Sequence, residues 1–222
     1  MTSHEELFTS GAYADMFVPD EPSNPLATLY AAKRDAVLAA IGGTDRRILD
    51  IGGGSGRMSV PLSSRHFVVL SDLSPTMLER VSSHAGPRLK LVVADAGSLP
   101  FDDGEFDYVL SIDVLPHLPN PGAALAEARR VLRPGGRLIV DSSNAVPLWT
   151  LAYPRYLGRN PIRWLRIWMG AGVLPEWQSR VWHYSRGAFV RMVEQAGFTV
   201  RSIRGFGPPF CPKWHLVVAE AR

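Results

Sequence analysis

The chain has 222 residues, 46% of them hydrophobic and 20% charged, the balance of an ordinary globular protein with a sizeable core. A net charge of +3 is too small to argue nucleic-acid binding, and the single cysteine, Cys211, excludes an internal disulfide and a zinc knot. The N-terminus lacks the basic and apolar regions of a signal peptide, and no uncharged apolar run reaches the roughly 18 residues of a membrane span, so a cytoplasmic protein is expected.

Residues 1–24 are mixed and rich in turn formers. A helix is predicted from Pro25 to Ile41, with Asn24 as its N-cap, Pro25 in its first turn and Gly42-Gly43 as its stop. Leu26, Leu29, Tyr30, Val37, Leu38 and Ile41 form its apolar face, and residues 1–43 read as an N-terminal helical cap. Ile48, Leu49 and Ile51 make a short buried strand that runs into Gly52, Gly54 and Gly56, and Met58 to Leu62 opens a helix behind them. A second strand, Phe67 to Ser71, ends at Asp72, where Ser74 caps a helix with Pro75 at its first position. A third, Leu89 to Ala94, ends at Asp95; a fourth, Phe106 to Ser111, follows the turn Asp102-Asp-Gly-Glu105. Pro121 to Leu132 is helical, stopped by Pro134-Gly135-Gly136, and Arg137 to Asp141 is the fifth strand.

Residues 142–183 interrupt this alternation. The window holds five of the six tryptophans and five arginines against one acid, Glu176, so it carries +4 and the rest of the chain −1. Ile162, Leu165, Trp168 and Met169 share one helical face and Arg163 and Arg166 another. Such an insert suits a lid over an acceptor, a tryptophan-closed core, or a patch in peripheral contact with a membrane. Ser185 to Ala196 returns to an amphipathic helix, and Val200 to Ile203 and Leu216 to Ala219 read as closing strands. One domain spanning 1–222 is expected, an α/β fold whose near-continuous apolar strands form a parallel sheet covered on both faces.

The glycine loop narrows the ligand. A dinucleotide fingerprint needs glycine at position 57, which holds Arg57, and a P-loop needs Gly-Lys-Ser/Thr, which is absent. Instead Asp50 stands before the glycines, where a carboxylate repels a pyrophosphate but suits a cationic group. Acids then recur at strand ends: Asp72, 20 positions after Gly52, in the usual place for a partner of ribose hydroxyls; Asp95, placed to accept from an adenine amino group; and Asp113, after the fourth strand. A lone acid after a strand is often only a cap, but three in register behind a glycine loop point to one ligand.

Asp50-x-Gly52-x-Gly54-x-Gly56 resembles the first motif of the class I S-adenosylmethionine (SAM)-dependent methyltransferases. The resemblance runs from Ile48 to Val140: Val69 to Leu78 is similar to the second motif, Ala94 to Phe101 with Phe106 to Leu110 to the third, and Val114-Leu-Pro-His-Leu118 and Arg130 to Gly136 to the segments after it. It implies a Rossmann-like, doubly wound, seven-stranded, mostly parallel sheet with helices on both faces, a lid after the fifth strand, and a last antiparallel pair at the sheet edge. It also implies SAM as cofactor and S-adenosylhomocysteine (SAH) as product. By it Asp50, Gly52, Gly54 and Gly56 line the methionine end of SAM, Asp72 binds the ribose, Leu73 packs on the adenine, Asp95 and Ala96 bind its edge, and Ser111 and Ile112 sit near the transferred methyl. Pro116 stands where relatives often carry a histidine before His117.

A hydroxyl or ammonium acceptor must lose a proton, so His117 and His183 are the candidate catalytic bases. No His-x-His or Glu-x-x-His spacing suggests a metal. The leading expectation is methyl transfer to an O, N or C atom of a small organic or lipid-like acceptor. An RNA or protein methyltransferase is an alternative, although an amide-methylating Asn-Pro-Pro-Tyr signature is missing and no RNA-binding module is appended; a non-catalytic SAM-binding regulator is another.

Overall fold

A computed structural model describes residues 26–144, 182–209 and 212–222. The proposed N-cap Asn24 and most of the expected cap and lid lie outside the described residues. Helix α1 (Ala27–Ala39) precedes β1 (Arg47–Ile51), α2 (Ser59–Ser63), β2 (Phe67–Asp72), α3 (Pro75–Val81) and β3 (Leu89–Val93). Then come β4 (Phe106–Ser111), α4 (Pro121–Val131), β5 (Leu132–Ser143), α5 (Arg186–Gln195), β6 (Phe198–Phe206) and β7 (Trp214–Ala221).

The strands form one seven-stranded sheet in the order β3-β2-β1-β4-β5-β7-β6. Neighbours from β3 to β5 are parallel; β7 runs antiparallel between β5 and β6. The order reverses between β1 and β4, the place where an open α/β sheet leaves a crevice at its carboxyl edge. This is the doubly wound, mostly parallel sheet expected from the sequence.

Side-chain alternation along β1 decides what each sheet face buries. Leu49 and Ile51 join a core with Leu125 and Val131 of α4 and Phe189 and Val193 of α5. Ile48 joins the opposite core, with Tyr30 and Val37 of α1, Leu62 of α2 and Leu78 of α3. Asp50 shares the parity of Ile48, so its carboxylate enters the α2 side, where the Ser59 hydroxyl donates to it at 2.7 Å. Serine and asparagine caps start the later helices: Ser74 accepts from the Met77 N–H at 3.4 Å, Asn120 from Ala123 at 3.2 Å and Ser185 from Ala188 at 3.3 Å. Proline follows the cap in α3 and α4, where its missing N–H costs nothing.

One boundary differs from expectation. Pro134-Gly135-Gly136 does not lie between helix and strand; β5 already begins at Leu132 and runs through it. Leu132 pairs with Phe106, and the register shifts before Tyr108 meets Arg137, so the Pro-Gly-Gly segment lies in an irregular stretch of a paired strand.

Candidate functional site

The carboxyl ends of β1, β2, β3 and β4 surround a cavity of about 530 Å³. Asp50, Gly52, Gly54, Asp72, Leu73, Asp95, Ala96, Ile112 and His117 all line it, so most of the residues singled out from the sequence meet in one place. Gly56, Ser111 and His183 are not among the lining residues. Gly56 is buried, and a Cβ there would stand 2.9 Å from both Val60 and Val81, so it serves the packing of α2 against α3. Ser111 is buried within β4 opposite Val140. His183 is exposed; it follows Trp182, whose N–H donates to the Pro116 carbonyl at 2.7 Å, one residue from His117.

Each wall follows from local chemistry. Gly52 and Gly54 both have positive φ, 64° and 53°, and a Cβ on Gly52 would lie 2.5 Å from a methyl of Val114. The loop can therefore approach the β4 loop only as glycine. Asp72 is half-buried and holds two backbone donors, Gly54 N–H and Ser74 N–H, each at 2.9 Å. It ties the glycine loop to the start of α3. Burial pushes its carboxyl above the usual range, and these backbone N–H groups oppose that shift. Asp50, 2% exposed, is pushed up to about 6 by desolvation, with the Ser59 hydroxyl pulling the other way. Leu73 is 37% exposed, an apolar side chain presented at the cavity wall. Asp95 caps its own turn, accepting from Gly97 N–H at 2.8 Å.

A second cluster was not foreseen as a unit. Lys33 of α1 is fully buried and donates at 2.6 Å to both Asp113 and Asp141. Asp141 accepts the Asp113 N–H at 2.7 Å with its other oxygen, and Asp113 accepts from Arg57 at 3.2 Å. Asp113 adopts a φ of 61°, which an aspartate tolerates better than most residues. Burial opposes its ionisation, but Lys33 and Arg57 hold its carboxyl below the ordinary range; burial pushes Asp141 upward. The rings of Tyr30 and Trp214 lie against the lysine, at 5.4 and 4.5 Å from Nζ. Lys213, also buried, is pulled down to about 7 by desolvation. Asp113 and Arg57 line the cavity, so this cluster forms the far side of its wall. A signal was present in the sequence: Leu26, Tyr30, Lys33 and Val37 fall on one helical stripe, and a lysine there has to be buried.

Residues 49–140, which hold every residue lining this cavity, match the family model described as a methyltransferase domain. Over this segment, 92 of its 222 residues, the chain is similar to the class I SAM-dependent methyltransferases. Family relatives include the demethylmenaquinone methyltransferase of Clavibacter sepedonicus, 40% identical over 116 residues that make up 50% of this chain and 47% of the relative. The 27-O-demethylrifamycin SV methyltransferase of Amycolatopsis mediterranei is 34% identical over 108 residues, 46% of this chain and 40% of the relative. Among solved structures, the magnesium protoporphyrin IX methyltransferase of Synechocystis with bound SAH superposes with a TM-score of 0.73, covering 98% of each chain at 18% identity, a likeness of fold. The chain spans about half the length of the curated relatives it matches. Among the described residues, no helix is long and apolar enough to cross a membrane, and no group of His, Cys, Asp and Glu could hold a metal ion.

Proposed function

We propose that the protein binds SAM in this cavity and transfers its methyl group to a small organic acceptor. The observation that carries the reading is the order of side chains along the carboxyl edge. Asp50 suits an ammonium, the glycines admit close backbone approach, Asp72 suits vicinal hydroxyls, Leu73 a planar apolar face, and Asp95 with the Ala96 N–H the edge of a base. The buried carboxylate of Asp50 supports the same fit, because desolvation makes it a strong partner for a cation. The related demethylmenaquinone and demethylrifamycin enzymes act on small molecules, which favours a small acceptor here.

SAM supplies, when bound, a methyl group already activated on a sulfonium. The protein's task is then alignment, exclusion of water and removal of the acceptor's proton. Ile112, Val114, Leu118 and Pro119 make the wall beyond the glycine loop apolar. His117, on a 3₁₀ turn of the β4 loop, lines the same wall and is the candidate to take a proton from an acceptor hydroxyl or amine. His117 would take the proton that the acceptor gives up as it is methylated, and the apolar wall would keep water from the reacting atoms.

The test is a panel of quinols, phenols and amines incubated with methyl-labelled SAM and read by mass spectrometry. Label in one or more small molecules is the expected result. Label confined to RNA or protein in an extract would redirect the reading to macromolecules. SAH binding with no label anywhere would leave a SAM-binding regulator.

A further inference from the structure

Lys33 does not line the cavity, yet it is fully buried and directs its charge at a residue that does. Its ammonium donates at 2.6 Å to Asp113 Oδ1 and at 2.6 Å to Asp141 Oδ2. The other Asp141 oxygen accepts the Asp113 N–H at 2.7 Å. Lys33, Asp113 and Asp141 thus close a ring that grips both the side chain and the main chain of Asp113. Arg57 donates to the remaining Asp113 oxygen at 3.2 Å.

The ring holds an uncommon conformation. Asp113 has a φ of 61°, and among the described residues Asp45 is the only other non-glycine with a positive φ. Such a residue persists where its surroundings over-determine it, and strain of this kind gathers at functional sites. Val114 and the 3₁₀ turn Leu115–His117 follow directly, and the His117 N–H donates to the Val114 carbonyl at 2.8 Å. His117 therefore stands one turn beyond the gripped residue, so the direction in which the chain leaves Asp113 sets where the imidazole meets the cavity. A buried ionic trio is a poor source of stability, since apolar residues of the same volume often serve as well. What it adds is direction, because a single arrangement satisfies all three groups at once.

We propose that Lys33 is a positioning residue for the reaction: acting through Asp113, it fixes the β4 loop so that His117 and the apolar wall of Val114 and Leu118 meet the acceptor in one geometry. The inference rests on the methyltransferase reading for the reaction it serves.

Hydrogen exchange on the ligand-free protein reads the grip without any acceptor. Lys33→Met keeps an apolar stem and removes the ammonium. Asp113→Gly keeps the left-handed backbone accessible and removes the gripped carboxylate, while Lys33 stays paired with Asp141. In both variants the His117 and Leu118 amides, which donate within the turn at 2.8 and 3.2 Å, exchange about tenfold faster or more, and those of β1 and β4 stay protected. With the acceptor that the labelled-SAM panel yields, each substitution lowers kcat about 10- to 100-fold, the scale of a displacement of about 1 Å, and moves SAH affinity less than about threefold. The double variant is no slower than the slower single, because both changes act through one loop. Losses that multiply in the double variant overturn the proposal. Exchange that rises uniformly with kcat retained makes Lys33 a plain brace and does the same. Should Lys33→Met fail to fold, Asp113→Gly carries the test in the His117→Ala background, where it must cost nothing further; an added loss there refutes action through His117. Wild-type protein that methylates nothing sinks the methyltransferase reading and the proposal with it, whereas an active wild type whose variants show unaltered exchange at His117 and Leu118 sinks only the role given to Lys33.

Discussion

Asp50→Asn separates the cost of burying a carboxylate from its use. The Asp50 side chain is 2% exposed, and desolvation raises its pKa from the ordinary 3.8 to about 6. Well below pH 3.8, at about pH 3, the carboxyl is protonated both folded and unfolded, and the shift costs nothing. As pH rises from about 3.8 to about 6 the unfolded chain ionises first, so stability is lost across that window and levels off above it. The full difference of about two pKa units amounts to about 3 kcal/mol. Asparagine does not titrate and still accepts the Ser59 hydroxyl through its amide oxygen. Urea denaturation of the ligand-free proteins from about pH 3 to about pH 8 should show the variant gaining on wild type by up to about 3 kcal/mol, nearly all of it by pH 7. Other groups titrate equally in both proteins and cancel. SAH affinity should move the opposite way, falling about 10- to 100-fold at neutral pH as the ammonium loses its ionic partner. A stability difference that stays flat with pH refutes the desolvated carboxylate, and unchanged SAH affinity removes Asp50 from the ligand.

Gly52→Ala should lower stability by about 1–3 kcal/mol and weaken SAH, since its Cβ falls 2.5 Å from a Val114 methyl at a φ of 64°. Adding Val114→Ala should recover part of the melting temperature; no recovery means the backbone conformation alone is responsible. Asp72→Ala should weaken SAH by about 1.5–3 kcal/mol and also lower the melting point, because it strands the Gly54 and Ser74 N–H groups that the carboxylate now accepts at 2.9 Å. A binding loss with no thermal cost would show that those two contacts carry no stability. His117→Ala should lower kcat about 10²- to 10⁴-fold and leave SAH affinity unchanged if the imidazole takes the acceptor's proton. A change confined to acceptor KM would make His117 a wall residue.

Most of the fold was legible because each element carries local punctuation. Ser74-Pro75 starts a helix through a cap that the structure bears out, and the strands are apolar runs with glycine or aspartate at their ends. The glycine loop was legible for a steric reason: residues at φ near +60° that approach another chain segment have to be glycine. Gly56 shows the limit of that argument. Spacing alone cannot tell a glycine that admits a ligand from one that admits Val60 and Val81. The Pro134-Gly135-Gly136 boundary failed because Pro-Gly-Gly reads as a stop, whereas pairing with β4 across a shifted register keeps it within a strand.

The charged cluster was illegible because its members are scattered. Lys33 is 80 residues from Asp113 and 108 from Asp141, and only the β4-β5 pairing and the packing of α1 across them bring the three together. Each looks ordinary alone: a lysine in a helix, two acids at strand ends. The stripe through Leu26, Tyr30 and Val37 nevertheless contained the argument. A lysine on it cannot keep its charge at full burial without acceptors, so it demanded carboxylates from the sheet beneath. The strand ends that α1 crosses supply them. The demand also runs the other way. Asp113 is held at φ 61° with both oxygens engaged by Lys33 and Arg57. It fixes the β4 loop that carries Val114 and His117 to the cavity wall, and it connects that loop to Arg57. Through these contacts a residue of α1, remote in sequence from the glycine loop, sets the geometry of the cavity.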